Sequence, residues 1–232
     1  NDTGTKMYAV GSSQDRIFEY DLTTAWDITT ATYNGANTSI SSVSSPGDIT
    51  FGNNGLKVYV GWTNTFGSGV ELDLSVAYDI TSVTASSTIQ YNTPWTGSDY
   101  YVIPGFSFND DGTKVYVLAS YSNRMLVEMP LATAWSVSSA IFASRVELSL
   151  PSASIVSSAV PSSDGKRFYY TDATGDVVHE IELTTAWDLS TATDSVRTFS
   201  VSSQTVDPRG IALGDSDSKL FIMGTNNDTI FK

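Results

Sequence analysis

Three sequence marks recur in step along this chain, and that repetition constrains the fold more than any other feature. A lysine-aromatic-aliphatic unit appears as Lys6-Met7-Tyr8-Ala9-Val10, Lys57-Val58-Tyr59-Val60, Lys114-Val115-Tyr116-Val117, Lys166-Arg167-Phe168-Tyr169 and Lys219-Leu220-Phe221-Ile222. It takes five of the six lysines, at spacings of 51, 57, 52 and 53. An Ala-aromatic-polar unit centres on Trp26, Tyr78, Trp135 and Trp187. A glutamate inside a short aliphatic run stands at Glu19, Glu71, Glu128 and Glu180. Both of these sets are spaced by 52, 57 and 52 residues. A chain so built is an array of one supersecondary unit.

Each unit reads as four short strands. An apolar piece such as Gly47-Asp48-Ile49-Thr50-Phe51, Gly105-Phe106-Ser107-Phe108 or Gly210-Ile211-Ala212-Leu213 comes first. A polar turn follows, as in Asn109-Asp110-Asp111-Gly112 or Ser163-Asp164-Gly165, where Asp-Gly suits a hairpin. The lysine strand, the glutamate strand and, after the Trp loop, a closing strand such as Ile141 to Leu148 complete the unit. No stretch carries helical periodicity over the length a helix needs. Four antiparallel strands per unit is the arithmetic of an all-β propeller. The expected units are about 1–47, 48–104, 105–156, 157–209 and 210–232, forming one domain of five blades, the alternative being a stretch of a longer ring or multidomain chain. Asn1 to Lys6 corresponds to the turn between first and second strands, and 226–232 corresponds to 13–19. The expected strand count is therefore three, four, four, four and three, with the first and last blades incomplete. The chain opens at Asn1 without a methionine or signal peptide, as expected of a processed or excised piece.

The Asp-Gly-x-Lys-x-Tyr-Val pattern resembles the YVTN/NHL-type β-propeller repeats of bacterial, archaeal and phage surface proteins. That resemblance covers nearly the whole chain through its period and implies the fold; propellers host many unrelated activities.

Positions repeated in every blade read as joints. Pairing Val10 with Ile17 places Lys6 opposite Asp21 and Tyr8 opposite Glu19, a cross-strand charge pair worth ~0.2–1 kcal/mol. Trp26, Tyr78, Trp135 and Trp187 read as anchors of the outer loop against their own blades. The residues that break the repeat are the candidates for binding. On the face shared by the loops between second and third strands and between blades stand Trp62, Phe66, Trp95, Tyr100, Tyr101 and Tyr121. The loop from Trp62 to Gly69 exceeds its counterpart Gly11 to Gln14, and Asn92 to Val102 helps account for the 57-residue spacing. Trp62, Trp95 and Tyr121 are expected to stack on sugar rings, with Asn64, Asp99 and Asn123 supplying hydrogen bonds.

Little points to catalysis. The single histidine, His179, lies in the run Val177-Val178-His179-Glu180-Ile181 at the position of Phe18, Val70 and Val127, which makes it a core residue. No phosphate-binding glycine loop, His-Glu-x-x-His pattern or EF-hand spacing occurs. Propeller lactonases resemble this fold, and that resemblance implies carboxylate, amide and histidine groups around a channel metal. The inner strands here supply mostly Ser, Thr, Gly and apolar residues, with Asp48 the main exception. Asp207 and Arg209 precede the last inner strand without a recognisable partner. Asp215-Ser216-Asp217 and Asp110-Asp111 sit where a turn needs Asp anyway.

Charge narrows the partners. With 25 acidic against 12 basic residues the net charge is −13, which repels phosphate backbones and anionic lipid. No apolar run approaches the roughly 18 residues that cross a bilayer. Serine and threonine, 34 and 28 residues, take the place of charged ones. The absence of cysteine excludes disulfides and thiol chemistry. The sequence therefore reads as a non-catalytic extracellular module from a secreted, cell-surface or virion-associated protein. Its expected partner is a glycan or a protein, with neither nucleic acid nor membrane insertion, and without cofactor or metal. The alternative is a self-assembling structural component of a surface layer, filament or virion. A propeller hydrolase would need acids clustered in the channel.

Overall fold

Strands with a two-residue side-chain period, joined by tight turns, pair with their sequence neighbours. In the computed structural model they form five antiparallel sheets in a ring, a five-bladed β-propeller. The structure describes residues 1–11, 13–40, 45–62, 68–90, 105–119, 124–150, 155–225 and 229–232, with backbone alone at 62, 68, 90 and 194–196. Blade 1 is β1 (Lys6–Gly11), β2 (Arg16–Leu22) and β3 (Ala31–Ser39). Blade 2 is β4 (Pro46–Gly52), β5 (Lys57–Trp62), β6 (Ser68–Leu74) and β7 (Val83–Gln90). Blade 3 is β8 (Phe106–Phe108), β9 (Lys114–Ala119), β10 (Met125–Pro130) and β11 (Val146–Ser149). Blade 4 is β12 (Val156–Pro161), β13 (Arg167–Asp172), β14 (Val177–Leu183) and β15 (Ala192–Ser200). Blade 5 is β16 (Pro208–Gly214), β17 (Lys219–Gly224) and β18 (Thr229–Phe231). The strand count among the described residues is the expected three, four, four, four and three. The closing strand of blade 3 is shorter than its sequence suggests, because Phe142–Ser144 forms a 3-10 turn and only Val146–Ser149 joins the sheet.

Register corrects one repeat assignment. Lys6, Lys57 and Lys114 begin their strands opposite Asp21, Asp73 and Pro130. In blade 4 that position, opposite Glu182, belongs to Arg167, and Lys166 lies one residue earlier in the turn. The charge pairs also go deeper than a surface rung. Lys57 Nζ reaches both Asp73 and the buried Glu71, each at 2.5 Å. Lys6 likewise binds Asp21 at 3.1 Å and the buried Glu19.

The Trp mark is a stacking joint. Trp135 takes a left-handed backbone (φ 62°) and its N–H donates to the Gly112 carbonyl at 2.9 Å. Its ring lies flat on Gly112, itself at φ 68°, where a Cβ would sit 2.2 Å from the indole. A bulky residue holds such a backbone only when the surroundings fix it. Trp26, Tyr78 and Trp187 repeat the joint on Gly4, Gly55 and Gly165. The backbone carbonyls of these residues then tie neighbouring blades, accepting from Tyr8 Oη at Tyr78 (2.6 Å), Tyr59 Oη at Trp135 (2.5 Å) and Tyr116 Oη at Trp187 (2.8 Å).

The apolar core is divided among the joints between blades. Ile17, Val58 and Val70 belong to the joint of blades 1 and 2. Tyr59, Phe106 and Val127 fill that of blades 2 and 3. Leu118, Phe168 and Ile181 fill the next, and Val178, Ile211 and Ile222 join blades 4 and 5. The joint between blades 5 and 1 differs. Trp26 stacks on Gly214 there, but a cavity of about 250 Å³ occupies the rest. No helix among the described residues is long and apolar enough to cross a membrane.

Candidate functional site

The inner strands β4, β8, β12 and β16 pack around the axis and line the channel. Three of them carry a β-bulge at the same end. In β4 the register slips between Pro46 and Ile49, in β12 between Val156 and Ala159, and in β16 between Pro208 and Gly210. An extra residue in one strand re-aims its side chain. The bulged positions are Gly47-Asp48, Ser157-Ser158 and Arg209, so the polar residues of otherwise apolar strands gather at one channel mouth.

Asp48 is the centre of this group. Ser158 Oγ, from blade 4, donates to Asp48 Oδ2 at 2.5 Å, and the Ile49 amide donates to Oδ1 at 2.8 Å. Gly105 of blade 3 admits the carboxylate, since a Cβ there would lie 2.9 Å from Oδ2. Burial among apolar walls raises the Asp48 pKa to about 7, against the opposing pull of the Ser158 and Ile49 hydrogen bonds. A carboxyl titrating near neutrality can both take and return a proton. Arg209, at the bulge of β16, borders Ser157 of the neighbouring inner strand. Its guanidinium forms a two-pronged contact with Asp207 (Nε–Oδ1 2.7 Å, Nη2–Oδ2 3.1 Å) and reaches Ser157 Oγ at 3.4 Å. Thr225 Oγ1 donates to Asp207 at 2.6 Å, and the Asp207 amide donates to Asp176 at 2.9 Å. Asp207 and Arg209, which had no recognisable partner in the sequence, thus pair with each other.

Among the described residues no three His, Cys, Asp or Glu side chains gather as metal ligands. His179 is buried (3% exposed) against Tyr170, with ring centroids 4.7 Å apart. Of the residues proposed to bind a sugar, Asn64, Phe66, Trp95, Asp99, Tyr100, Tyr101, Tyr121 and Asn123 lie outside the described residues. Trp62 is described by its backbone alone, at the end of β5 opposite Pro46, which puts it at the same mouth as Asp48. The sequence singled out Asp48 but not Ser157 or Ser158. Their signal was a polar doublet inside an inner strand.

No family model matches the chain, and no curated protein matches it in sequence. Solved structures do. The luciferin-regenerating enzyme is similar over 99% of this chain and 68% of its own, at 13% identity and a TM-score of 0.58. The periplasmic gluconolactonase of Pseudomonas aeruginosa is similar over 95% of this chain and 54% of its own, at 15% identity and 0.52. A protein of Bacteroides fragilis assigned as a 6-phosphogluconolactonase is similar over 85% and 52%, at 11% identity and 0.52. This chain therefore spans about half the length of the two lactonase-named structures. At such identities the likeness shows the fold.

Two expectations are corrected by these comparisons, that the chain is a non-catalytic extracellular binding or structural module and that it is not an enzyme. Propellers similar to it include several that carry the names of enzymes. The physical reason lies in the channel. Inner strands dominated by Ser, Thr, Gly and apolar residues read as inert. Yet a single carboxylate enclosed by such residues is the one whose proton affinity shifts into the working range.

Proposed function

We propose that the channel mouth is the active site of a propeller hydrolase that opens a cyclic ester. Asp48, titrating near pH 7 among apolar walls and held by Ser158, carries this reading. Its carboxylate takes a proton from a water molecule as the water oxygen bonds to the ester carbonyl carbon. The ring C–O bond then breaks, and the departing alkoxide receives the proton back from Asp48, giving the open hydroxy acid. Arg209, oriented by Asp207, supplies positive charge at the rim for an anionic or polyhydroxylated substrate. Trp62, Trp95 and Tyr121 remain in this reading the candidate residues for contact with the substrate. The lactonase names among the structural neighbours support the substrate class, and the periplasmic one supports a secreted or periplasmic setting. We read the blades as YVTN/NHL-type repeats and residues 1–232 as one domain, on the recurrence of Lys-x-Tyr-Val.

The test is hydrolysis of gluconolactone and a panel of simple lactones by the wild type and by Asp48→Asn. The wild type should show kcat/KM rising with pH through about 7, because the deprotonated carboxylate is the base. Asp48→Asn should lose roughly 100-fold or more while keeping its fold. A wild type no faster than buffer, or an asparagine variant with full activity, sinks the assignment.

A further inference from the structure

We infer that Asn34, in the bulge of β3, is a self-modifying site, where the Gly35 backbone nitrogen attacks the Asn34 side chain and the amide becomes a carboxylate. The sequence holds two Asn-Gly pairs, Asn34-Gly35 and Asn54-Gly55, and glycine shields its own backbone nitrogen least. The structure treats the two pairs oppositely. Between the rungs Phe18–Asn37 and Tyr20–Tyr33 the register shifts, so Asn34, Gly35 and Ala36 bulge without Cα partners across the sheet. Asn34 and Gly35 are exposed, and Gly35, at φ 89°, has open space where a Cβ would stand. The Asn34 side chain folds forward over Gly35, because its Oδ1 accepts from the Ala36 amide at 2.9 Å. That N–H donates to the oxygen on which negative charge develops as the Gly35 nitrogen attacks Cγ. The second pair has neither advantage. Gly55 is buried, its N–H donates to the Gly52 carbonyl at 3.0 Å, and a Cβ there would lie 2.4 Å from the Tyr78 ring.

The step balances with water alone. The Gly35 nitrogen loses its proton and bonds to Cγ, the Cγ–Nδ2 bond breaks, and Nδ2 leaves with that proton as ammonia. Water then opens the cyclic imide at either carbonyl, leaving aspartate or its β-linked isomer at position 34. The change matters because of what the amide holds. Asn34 Nδ2 donates to Oε1 of the buried Glu19 at 2.8 Å. The Lys6 ammonium, helped by the Asn34 amide, holds the Asp21 carboxyl below the usual carboxylate range. Glu19 and Asp21 already share Lys6. Conversion therefore replaces a hydrogen-bond donor by a third carboxylate beside two that divide one lysine, which loosens blade 1. The site lies on the last strand of blade 1, and it stands whether or not Asp48 is catalytic.

The test ages the intact 232-residue chain at mildly alkaline pH, folded and in urea, and follows both Asn-Gly peptides by mass mapping. An isoaspartate-specific methyltransferase gives a second readout. In the folded chain position 34 should convert about tenfold or more faster than position 54. In urea the two rates should converge, because the dipeptides are then alike and the fold no longer separates them. Asn34→Gln, whose longer side chain closes the ring poorly, should stop conversion at 34 and leave position 54 unchanged. Asn34→Asp should lower the denaturation midpoint, as ageing does in the wild type but not in Asn34→Gln. Equal rates in the folded chain, a faster position 54, or no conversion at 34 overturns the site. An Asn34→Asp variant as stable as the wild type overturns the consequence drawn for blade 1.

Discussion

Strands β1 and β9 begin with the same mark, Lys-x-Tyr, yet they live in different surroundings. In β9 every residue after Lys114 is buried, and Tyr116 is 1% exposed. In β1 every residue is only half-buried, although Tyr8 makes the same hydroxyl-to-carbonyl bond to the next blade. The repeated sequence therefore specifies the joint, while burial depends on what packs on the inner side. In blade 3 that is β8; in blade 1 it is the cavity. The widest separation between the two blades should come from removing this tyrosine. Tyr116→Ala deletes a buried ring and should cost ~3–5 kcal/mol, whereas Tyr8→Ala, with part of its ring already in solvent, should cost ~1–2 kcal/mol. Chemical denaturation monitored by circular dichroism measures both. Equal losses would mean that β1 is held as firmly as a central strand, and the comparison would fail.

The repeated glutamates sharpen the same contrast on a smaller scale. Glu128 is 5% exposed and uses both oxygens, one toward Lys114 Nζ at 2.6 Å and the other accepting from the Leu189 amide at 2.8 Å. Glu71 does the same with Lys57 and the Val137 amide. Glu19 binds Lys6 and Asn34, but its Oε2 has no hydrogen-bond partner. Glu128→Gln weakens a satisfied buried pair and should cost ~2–3 kcal/mol; Glu19→Gln should cost ~1 kcal/mol. A double-mutant cycle with Lys114→Met and Lys6→Met separates the ion pair from the interblade bond. A larger coupling in blade 1 than in blade 3 would contradict the ranking.

What was legible in the sequence follows from what a repeat records. Period, strand number and the Val10–Ile17 register could be read because three marks fix the pairing of each hairpin, and the structure reproduces Lys6 opposite Asp21 and Tyr8 opposite Glu19. The glycine under each Trp ring was present in the turns but could not be tied to the ring without the left-handed backbone that brings them together. The site was less legible for a related reason. A bulge shifts a side chain by one position, so Asp48 meets Ser158, and Arg209 meets Ser157, across blades without any mutual spacing in the chain. Burial of Asp48 depends on Gly105 and on strands 110 residues away, as its bond to Ser158 shows. Such a shift in proton affinity has no local sequence signature.

His179 provides the smallest and most specific of these contrasts, because its repeat partners are Phe18, Val70 and Val127. Blade 4 places an imidazole where blades 2 and 3 place a valine, opposite Tyr170 in the sheet. Both ring nitrogens lack hydrogen-bond partners, and Asp172 Oδ2 lies 3.9 Å from Nε2. Burial lowers the His179 pKa, and the nearby Asp172 carboxylate only partly offsets it. The folded state thus resists protonation that the unfolded chain accepts. Stability linked to this residue is complete above the ordinary histidine value of about 6.5 and is lost as pH falls through it toward the depressed folded value. His179→Val should remove that loss and, by eliminating unpaired buried nitrogens, add ~1 kcal/mol at neutral pH. The measurement is unfolding free energy of both proteins from pH 8 to pH 5. The difference between them should widen on acidification. A difference that stays constant would show that the imidazole keeps its ordinary proton affinity, and that blade 4 tolerates a charge where blade 3 demands a hydrocarbon.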